Sequence, residues 1–516
     1  MTATVLVNGR IDGSEPVDIV IESGLITAIR PSSDTCGSVG PNWGGRVRID
    51  LEGRHLLPGL WDEHVHFSLF ALAARRVDVS AAKSAAEAAA LMGAAARSRP
   101  PEVGMPLVGS GFRDGLWPDT PTAEILDRAT GDLPTVLVGA DLHCCWLNTA
   151  ALLRFGVDSL PAASPGSSSG SSGRGGAPDH GLLREADAFR ILDELQNVPT
   201  SVLDGWVAEA ATAAAKRGVV GVVDFEMADN LNVWSRRICS GMQSLRIAGG
   251  IYSEQLDAAI TAGHKTGAII AGTNGLLKVG PFKILIDGSL NTRTAYCLDE
   301  YPGQAGYAHW RGLLTVSPGE LTAVLRRVSV AGLVPAVHAI GDDANRIALD
   351  AFEAVGCGGR IEHAQLLRDI DLPRFAGLKV TASVQPEQAM DDREVADHFW
   401  AGRTSRAFAL RALLDAGATI VLGSDAPVAP LDPWITIAAA VGRSRDGRPA
   451  WHPEQSISRA EAIAASTGGR RRLGVGEPAD LCVVDLDPLL ASSEQLRTMP
   501  VSATMIAGRF THSLLG

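Results

Sequence analysis

His64 and His66, one residue apart, are the first residues in the chain whose types and spacing could bind a metal. They end the run His55-Leu-Leu-Pro-Gly-Leu-Trp-Asp-Glu-His-Val-His66, whose apolar part is typical of a β-strand. Side chains at i and i+2 of a strand share a face, so the two imidazoles would point the same way. Neutral imidazole is a common zinc ligand. Because His-x-His is also frequent by chance as a pair of polar surface residues, the interpretation depends on whether the chain supplies further ligands.

Four later residues meet that requirement, because each follows or interrupts a strand-like apolar run. They are Lys283 in Val-Gly-Pro-Phe-Lys-Ile-Leu, His338 after Val-Pro-Ala-Val, His363 after Arg-Ile-Glu, and Asp425 after Ile-Val-Leu-Gly-Ser. A single histidine at a strand end is more often a hydrogen-bonded structural residue. A lysine inside an apolar run is less common, since an unpaired ammonium is seldom buried. Taken together, the six residues favour a metal site.

The elements that would position these residues alternate along the chain. Eight strand candidates are 56–66, 219–225, 245–252, 281–287, 333–338, 361–363, 380–385 and 419–424, and Ala-rich helical stretches lie between them, among them 201–217, 319–331, 343–355 and 406–417. Repeated strand and helix units favour a parallel sheet, and eight of them favour a closed (β/α)₈ barrel. In such a barrel the candidate ligands would project from the carboxyl ends of strands one, four, five, six and eight, where these folds place their chemistry.

The remaining segments predict two additions to the barrel. Both ends of the chain read as short strands with turns between them, which predicts one small sheet domain composed of residues 1–55 and 471–516 around a barrel of residues 56–470. The interval between strands one and two is too long for a loop, so residues of about 70–200 are predicted to form an inserted subdomain. Its Gly/Ser-rich tract at 164–176 is either a tolerated loop extension or a lid.

Composition sets limits on the function. The 516 residues include 46 basic and 58 acidic side chains, a net charge of −12 without long runs, which argues against nucleic acid or an anionic membrane as the main partner. No secretory signal and no membrane-spanning apolar stretch are visible in the sequence. The seven scattered cysteines are typical of reduced thiols in the cytoplasm, where we expect the protein to act. The adjacent Cys144 and Cys145 are either core residues or a reactive pair.

Several motifs together resemble the amidohydrolase superfamily, in the branch called YtcJ-like or amidohydrolase family 3, which includes N-substituted formamide deformylases. The similarity covers nearly the whole chain and rests on the order of Leu57-Pro-Gly-Leu-Trp-Asp-Glu-His-Val-His66, Lys283-Ile-Leu-Ile-Asp-Gly-Ser-Leu290, His338-Ala-Ile-Gly-Asp342, Ile361-Glu-His-Ala-Gln365, Ser383-Val-Gln-Pro386, Gly423-Ser-Asp-Ala-Pro-Val428 and Gly476-Glu-Pro-Ala-Asp-Leu-Cys-Val-Val-Asp485. The resemblance implies an α/β fold: a distorted TIM barrel with a composite β-sandwich from both termini, and here an inserted subdomain after strand one.

The resemblance also implies a divalent metal centre, usually zinc, with one or two ions. By analogy, His64, His66 and Asp425 would hold one ion, and His338 and His363 a second. Lys283, carboxylated to a carbamate, would bridge them. A metal-activated hydroxide would then attack a carbonyl carbon, with Asp425 as the catalytic proton shuttle.

The predicted activity is hydrolysis of a non-peptide C–N bond in a small amide. Hydrolysis of a cyclic amide and deamination on the same scaffold are alternatives, and a non-catalytic scaffold protein is a third. Deaminases of the superfamily usually lack the strand-four lysine, and a scaffold would have lost ligands that are all present here.

Further residues have weaker assignments. Five candidates for substrate binding lie in or near the motifs, and each has a structural alternative such as core packing or a backbone hydrogen bond: His143, Asp287, Arg293, Gln385 and Trp117. Glu362 and Asp342, which neighbour ligand histidines, are candidates for supporting the metal ligands. The expected partner is a small-molecule substrate, and the family is compatible with a homodimer.

Overall fold

The computed structural model describes residues 3–32, 46–101, 104–157, 181–195, 198–302 and 309–515. The Gly/Ser-rich tract predicted at 164–176 lies outside these ranges. In chain order, the strands within them are β1 (Thr4–Ile11), β2 (Val17–Glu22), β3 (Leu25–Pro31), β4 (Val47–Asp50), β5 (His55–Pro58), β6 (Leu60–Val65), β7 (Val77–Asp78), β8 (Leu107–Phe112), β9 (Thr135–Gly139), β10 (Cys144–Leu147), β11 (Leu182–Arg184), β12 (Val219–Asp224), β13 (Arg246–Ile251), β14 (Leu277–Leu285), β15 (Pro335–Ala339), β16 (Gly359–His363), β17 (Val380–Val384), β18 (Ile420–Leu422), β19 (Leu481–Val484), β20 (Val501–Ile506) and β21 (Arg509–Ser513).

The α-helices of the same residues are α1 (Phe67–Ala73), α2 (Ala85–Ser98), α3 (Ala123–Thr130), α4 (Thr149–Arg154), α5 (Ala186–Leu195), α6 (Thr200–Ala215), α7 (Asn230–Cys239), α8 (Ser253–Thr261), α9 (Pro318–Val330), α10 (Asp342–Val355), α11 (Leu372–Leu378), α12 (Gln388–Phe399), α13 (Leu410–Asp415), α14 (Pro433–Gly442), α15 (Arg459–Ala464) and α16 (Ser493–Arg497). None of the helices in the described part of the chain combines the length and the apolar character needed to cross a membrane.

The central sheet has eight strands in the order β18-β17-β16-β15-β14-β13-β12-β6, and the pairs between them are parallel. Each strand corresponds to one of the eight predicted from the sequence. The first barrel strand, β6, and the last, β18, are joined by hydrogen bonds between residues near the carboxyl ends of the two strands. The N–H of Asp425 donates to the carbonyl of His64 at 2.7 Å, and the N–H of His66 donates to that of Ala426 at 2.9 Å. These two bonds nearly close the sheet into the predicted distorted barrel.

Short apolar runs form the barrel strands, since a strand covered on both faces has no polar face to present. Val219–Asp224, with the sequence Val-Val-Gly-Val-Val-Asp, is buried throughout. Some of the helices outside the barrel begin at clear capping signals. Before α9, the side chain of Ser317 accepts from the N–H of Glu320 while Glu320 accepts from the N–H of Ser317, a capping box that satisfies two exposed donors of the first turn. The apolar faces of these helices pack on the strands and complete the core.

Strands from both ends of the chain form a second eight-stranded sheet, in the order β21-β20-β19-β5-β1-β2-β3 with β4 paired to β1. The sequence predicted that the two ends combine, and the pairing of β19 with β5 joins them. A third sheet, β11-β10-β9-β8-β7, lies in the interval between barrel strands one and two, where an insert was predicted. The exact bounds proposed for these parts stay predictions.

The inserted sheet is attached to the mouth of the barrel by polar contacts. Ser289, after barrel strand four, donates from Oγ to Oδ2 of Asp141 at 2.7 Å. Arg113, after β8, donates from Nη2 to Oδ2 of Asp391 on α12 at 2.9 Å. The insert therefore contributes side chains to the end of the barrel where the candidate ligands lie.

Candidate metal centre

The six residues predicted as metal ligands all line one cavity at the carboxyl end of the barrel strands: His64, His66, Lys283, His338, His363 and Asp425. His64 lies within β6 and is fully buried, while His66 follows the strand. Lys283 lies within β14, His338 within β15, and His363 ends β16. The barrel therefore places together residues that are up to 361 positions apart in the sequence (425 − 64).

One end of the cluster has the spacing of a metal site. Ligand atoms of His64, His66 and Asp425 lie within 4.8 Å of one another. Oδ1 of Asp425 is 3.3 Å from Nε2 of His66 and 3.5 Å from Nε2 of His64. Two imidazole nitrogens and one carboxylate oxygen make a donor set that suits a divalent ion such as zinc.

The other ligands continue from this end. Nζ of Lys283 lies 3.4 Å from Nε2 of His64. The ring centroid of His363 is 5.2 Å from that of His64 and 4.5 Å from that of His338. Nδ1 of His363 is buried and has no hydrogen-bond partner among the described residues, which is unusual for a buried polar atom. Coordination to a metal ion would satisfy this nitrogen. The residues present therefore fit the metal centre that the family resemblance implies.

The protonation states of three of the four histidines also suit metal ligands. Burial lowers the pKa of His64 to about 4 and that of His363 to about 3, and it lowers the pKa of His338 well below its usual range. Each of these histidines is therefore neutral at pH 7 and keeps a lone pair. Burial raises the cost of the ammonium form and lowers the pKa of Lys283 to about 8. That change favours the free amine, the form that reacts with carbon dioxide to give a carbamate.

Asp425 is held as an anion in a fixed orientation. Burial disfavours its charge, but the neighbouring histidines outweigh this and hold the pKa of its carboxyl well below the usual range. Its other oxygen, Oδ2, accepts a hydrogen bond from Nε2 of Gln388 at 3.0 Å. Both Asp425 and His363 have positive φ angles, 59° and 75°. Such backbone strain persists only where the surroundings impose it and is frequent at active sites.

The backbone around the cluster is tightly packed. Gly423, just before Asp425, lies against β6, and a Cβ at this position would be 2.7 Å from the backbone nitrogen of His64. Any side chain here would push the eighth strand away from the first. The glycine thus allows the close approach that brings Asp425 to the histidine pair.

A carboxylate and an arginine orient His64 from behind. Oε2 of Glu362, on β16, accepts a hydrogen bond from Nδ1 of His64 at 2.7 Å. Arg360, two residues earlier on the same strand, donates from Nε to Oε1 of Glu362 at 2.8 Å. This contact leaves Nε2 as the ring nitrogen of His64 that faces the cluster. Asp342, the other residue predicted to support the ligands, instead accepts from the N–H of Leu298 at 2.9 Å.

Of the five residues predicted to bind substrate, His143 lines the cavity. It comes from the insert, and its ring centroid lies 5.9 Å from that of His338. Its Nδ1 contacts Oε2 of Glu185 at 2.9 Å. Burial opposes the charged imidazole, but the carboxylate of Glu185 outweighs burial and raises the pKa of His143 to about 9.

The other four are not among the residues that line the cavity. Oδ2 of Asp287 accepts from the N–H groups of Tyr296 and Gly341, and its Oδ1 is 3.5 Å from Nε2 of His338, so it lies behind that ligand. Arg293 lies over the ring of Phe399. Their roles toward a substrate stay predictions.

Gln385 is buried and donates to the carbonyl of Ser383. Trp117 packs in the insert against Phe112 and Trp146. Substrate binding by these two residues likewise stays a prediction.

Sequence reasoning missed several residues of the cavity wall, and four with charged or amide side chains are Arg113, Gln388, Asp391 and Asp392. Three of them lie in the first turns of α12, directly after barrel strand seven. The start of α12 directly follows the carboxyl end of a barrel strand, where such folds place their chemistry. That position could have identified these three residues from the sequence. Arg113 lies in the insert, and its distance in sequence from the barrel motifs gave no such signal.

Residues 48–512 match the amidohydrolase family. The chain belongs to this family. Three relatives align over nearly their full lengths. Protein LONG AFTER FAR-RED 3 of Arabidopsis thaliana is 27% identical over 98% of this chain and 91% of its own. YtcJ of Bacillus subtilis (strain 168) is 27% identical over 90% of each chain. N-substituted formamide deformylase of Arthrobacter pascens is 25% identical over 96% of this chain and 95% of its own.

The fold also matches a solved structure. An uncharacterized metal-dependent hydrolase from Pyrococcus horikoshii OT3 superposes with a TM-score of 0.75 and 24% identity, covering 96% of this chain and 99% of that one. The similarity supports the amidohydrolase fold for the barrel and its additional sheets. The family match and the curated relatives support a hydrolase.

Proposed function

We propose that this amidohydrolase cleaves a non-peptide amide C–N bond in a small molecule, with a zinc-like divalent metal held by the six-residue cluster. The observation that carries the proposal is the convergence of His64, His66 and Asp425 within 4.8 Å, extended by Lys283 and the other two histidines in the same cavity. In this proposal His64, His66 and Asp425 would hold one ion, His338 and His363 would hold a second, and Lys283, as a carbamate, would be a further ligand.

When bound, a divalent ion supplies a Lewis acid that polarises a carbonyl group and makes water more acidic. The residues of the chain supply the remaining steps. Asp425, ionised and fixed by Gln388, accepts a proton from the attacking water and delivers it to the leaving nitrogen. The new C–O bond forms first and the C–N bond breaks once the nitrogen is protonated, which gives a carboxylic acid and an amine. Glu362 keeps His64 in the orientation that ligation needs.

We assign His143 to the substrate. Its contact with Glu185 involves Nδ1, so Nε2 is the ring nitrogen available to hydrogen-bond a substrate group beside His338. Glu185 is itself fixed by the hydroxyl of Thr294, which donates to Oε1 at 2.6 Å. A histidine anchored in this way is a rigid contact, as substrate positioning requires.

A substrate screen tests the proposed reaction. The metal-loaded protein should be incubated with N-substituted formamides, N-acyl amino acids, cyclic ureas and carboxylic esters, and product amines and acids quantified by chromatography. We expect hydrolysis of at least one linear amide, abolished when a chelator removes the metal and restored by zinc. Turnover of cyclic ureas or esters alone would contradict the assignment to linear amides, and Asp425→Asn serves as the control for hydrolysis by a contaminant.

A further inference from the structure

Helix α12 carries three cavity-lining residues on one face. Gln388 reaches Asp425, and Asp391 and Asp392 follow three and four positions later. Residues at these spacings are neighbours on a helix surface. Since an α-helix rises about 1.5 Å per residue, Asp392 lies about 6 Å along the helix axis from Gln388. The helix therefore fixes the separation between the Asp392 carboxylate and the metal-ligand cluster that Gln388 contacts.

Asp392 differs from the other carboxylates of the cavity wall. Asp425 accepts from Gln388, and Asp141 accepts from the hydroxyl of Ser289. Among the described residues, no hydrogen bond or ion pair engages the Asp392 carboxylate. A partly buried carboxylate without a donor is costly, and a ligand that donates to it removes that cost.

Nearby arginines do not fill this role, because their contacts are directed to other acids. Arg113 and Arg445 both donate to Asp391. Arg445 also donates to Glu387. Burial raises the pKa of Asp392 to about 7, and the charge of Arg113 offsets only part of this effect. Among the described residues, no side chain forms a hydrogen bond or ion pair with the Asp392 carboxylate, so a cation bound in the cavity would be its first direct partner and would favour its ionised form.

Apolar side chains make up much of the wall around the polar groups, among them Leu69, Leu142, Phe189, Met227 and Leu290. Such a wall suits the hydrocarbon part of a ligand. A molecule that fits the whole cavity would carry a hydrolysable group at the metal cluster, an apolar middle, and a hydrogen-bond donor at Asp392.

We propose that Asp392 is a specificity-determining residue that binds a terminal ammonium group of the substrate, which makes the substrate class amides that also carry a primary amine. The inference rests on the proposed amide hydrolysis and adds the identity of the group at the far end of the molecule. An ammonium ion satisfies Asp392 with a charge-assisted hydrogen bond, whereas a methyl group of the same size leaves it unpaired.

Matched substrate pairs test this specificity. Each pair consists of two linear amides that differ only in a terminal ammonium or methyl group, prepared in several chain lengths, with the terminal group on the amine side or on the acyl side. We expect the wild-type protein to favour the ammonium member of at least one pair by about tenfold to a hundredfold in kcat/KM. Asp392→Asn should bring that ratio close to one.

A control variant removes a negative charge from the same helix outside the cavity. Glu394 is exposed and pairs with Arg448 at 3.0 Å, so Glu394→Gln should keep the wild-type ratio. A wild-type ratio near one for every pair would overturn the proposal, and so would an unchanged ratio in Asp392→Asn. Because the ratio compares two substrates on one protein sample, a partial loss of folded protein does not affect it.

Binding measurements separate this inference from the proposed reaction. Titration calorimetry would compare alkylammonium ions with alcohols of equal length on metal-loaded wild type and Asp392→Asn. Tighter binding of the ammonium ion by the wild type, but not by Asp392→Asn, supports the role of Asp392 in binding ammonium groups. If no amide is hydrolysed in that case, only the proposed reaction is refuted. Hydrolysis of amides without any ammonium preference refutes the role of Asp392 and leaves the proposed reaction standing.

Discussion

Nδ1 of His64 on barrel strand one donates to Oε2 of Glu362 on strand six, with 2.7 Å between the two atoms. The hydrogen bond crosses the barrel and fixes which imidazole nitrogen is available to a metal. Both side chains are almost completely buried, so water does not compete for it. The same glutamate accepts from Arg360, which in turn donates to Oε2 of Glu63 at 2.9 Å. The ligand is thus held by a chain of charged groups beneath it.

Replacing Glu362 with glutamine should weaken metal binding without unfolding the barrel, since the amide keeps the shape but loses the charge that favours this imidazole tautomer. Loss of such a partner typically costs about tenfold to a hundredfold in metal affinity. Competition with a chromogenic chelator would measure zinc affinity. Glu353→Gln makes the same change at an exposed residue outside the cavity, and equal affinities for the two variants would contradict the role of Glu362.

Replacing Lys283 with alanine should lower both activity and metal content, because the proposed carbamate is lost from the centre of the cluster. Metal analysis should find one to two ions per wild-type chain and fewer in the variant. Short carboxylic acids should partly restore activity by supplying the missing carboxylate. Lys278→Ala is a matched control on the same strand, since Nζ of Lys278 lies over the ring of Trp61 and outside the cavity. Full metal content and turnover in Lys283→Ala would refute the bridging role.

Replacing Gln388 with methionine should reduce kcat and leave zinc content near the wild-type level. The side chain keeps its length but no longer donates to Oδ2 of Asp425, so the carboxylate loses one of the contacts that orient it for proton transfer. A hydrogen bond to a charged group contributes about 1.5–3 kcal/mol, so kcat should fall by about tenfold to a hundredfold. Steady-state kinetics would separate this effect from a rise in KM. A change confined to KM would show that Gln388 contacts the substrate instead.

The barrel could be predicted from the sequence because its strands and helices are specified by local residue patterns. Runs such as Val219–Asp224 are apolar on both faces, and turn signals and Ala-rich stretches separate them at regular intervals. The apolar runs that Lys283 interrupts and Asp425 follows then placed both residues toward the carboxyl ends of their strands. The ligand residues could be ordered along the barrel because a parallel sheet fixes which end of each strand carries chemistry.

Contacts between distant segments could not be predicted in this way. Arg113 meets Asp391 only because the insert folds over the barrel, and no periodicity in the sequence reports that placement. Arg293 follows a barrel strand in sequence, yet it does not line the cavity and its guanidinium lies over the ring of Phe399. Local patterns specify elements, whereas the direction of a loop side chain depends on tertiary packing.

The junction between the barrel and the terminal sheet should depend on Arg246 and Asp480. Nε and Nη2 of Arg246 donate to the two oxygens of Asp480 at 2.6 and 3.0 Å, and Asp480 is 7% exposed. Arg246→Met keeps the apolar stem but leaves this carboxylate without its cation. We expect a loss of about 2–3 kcal/mol in the free energy of unfolding, read as a lower urea midpoint. Arg327→Ala, which removes an exposed pair with Asp257, is the control and should shift the midpoint by much less.

The pair of Glu461 and Arg411 should make stability depend on acid pH. Hydrogen bonds from Arg411 lower the pKa of Glu461 to about 2, below its ordinary value of 4.5. A carboxyl whose pKa is lower in the folded state stabilises the fold above the unfolded pKa and loses that contribution as the pH falls toward the folded pKa. Glu461→Gln should therefore be less stable than wild type at pH 7, and the difference should shrink between about pH 4.5 and pH 2. Urea unfolding at a series of pH values would measure it, with Glu15→Gln as the control for the loss of an exposed carboxylate. A difference that grows on acidification would refute the ion pair.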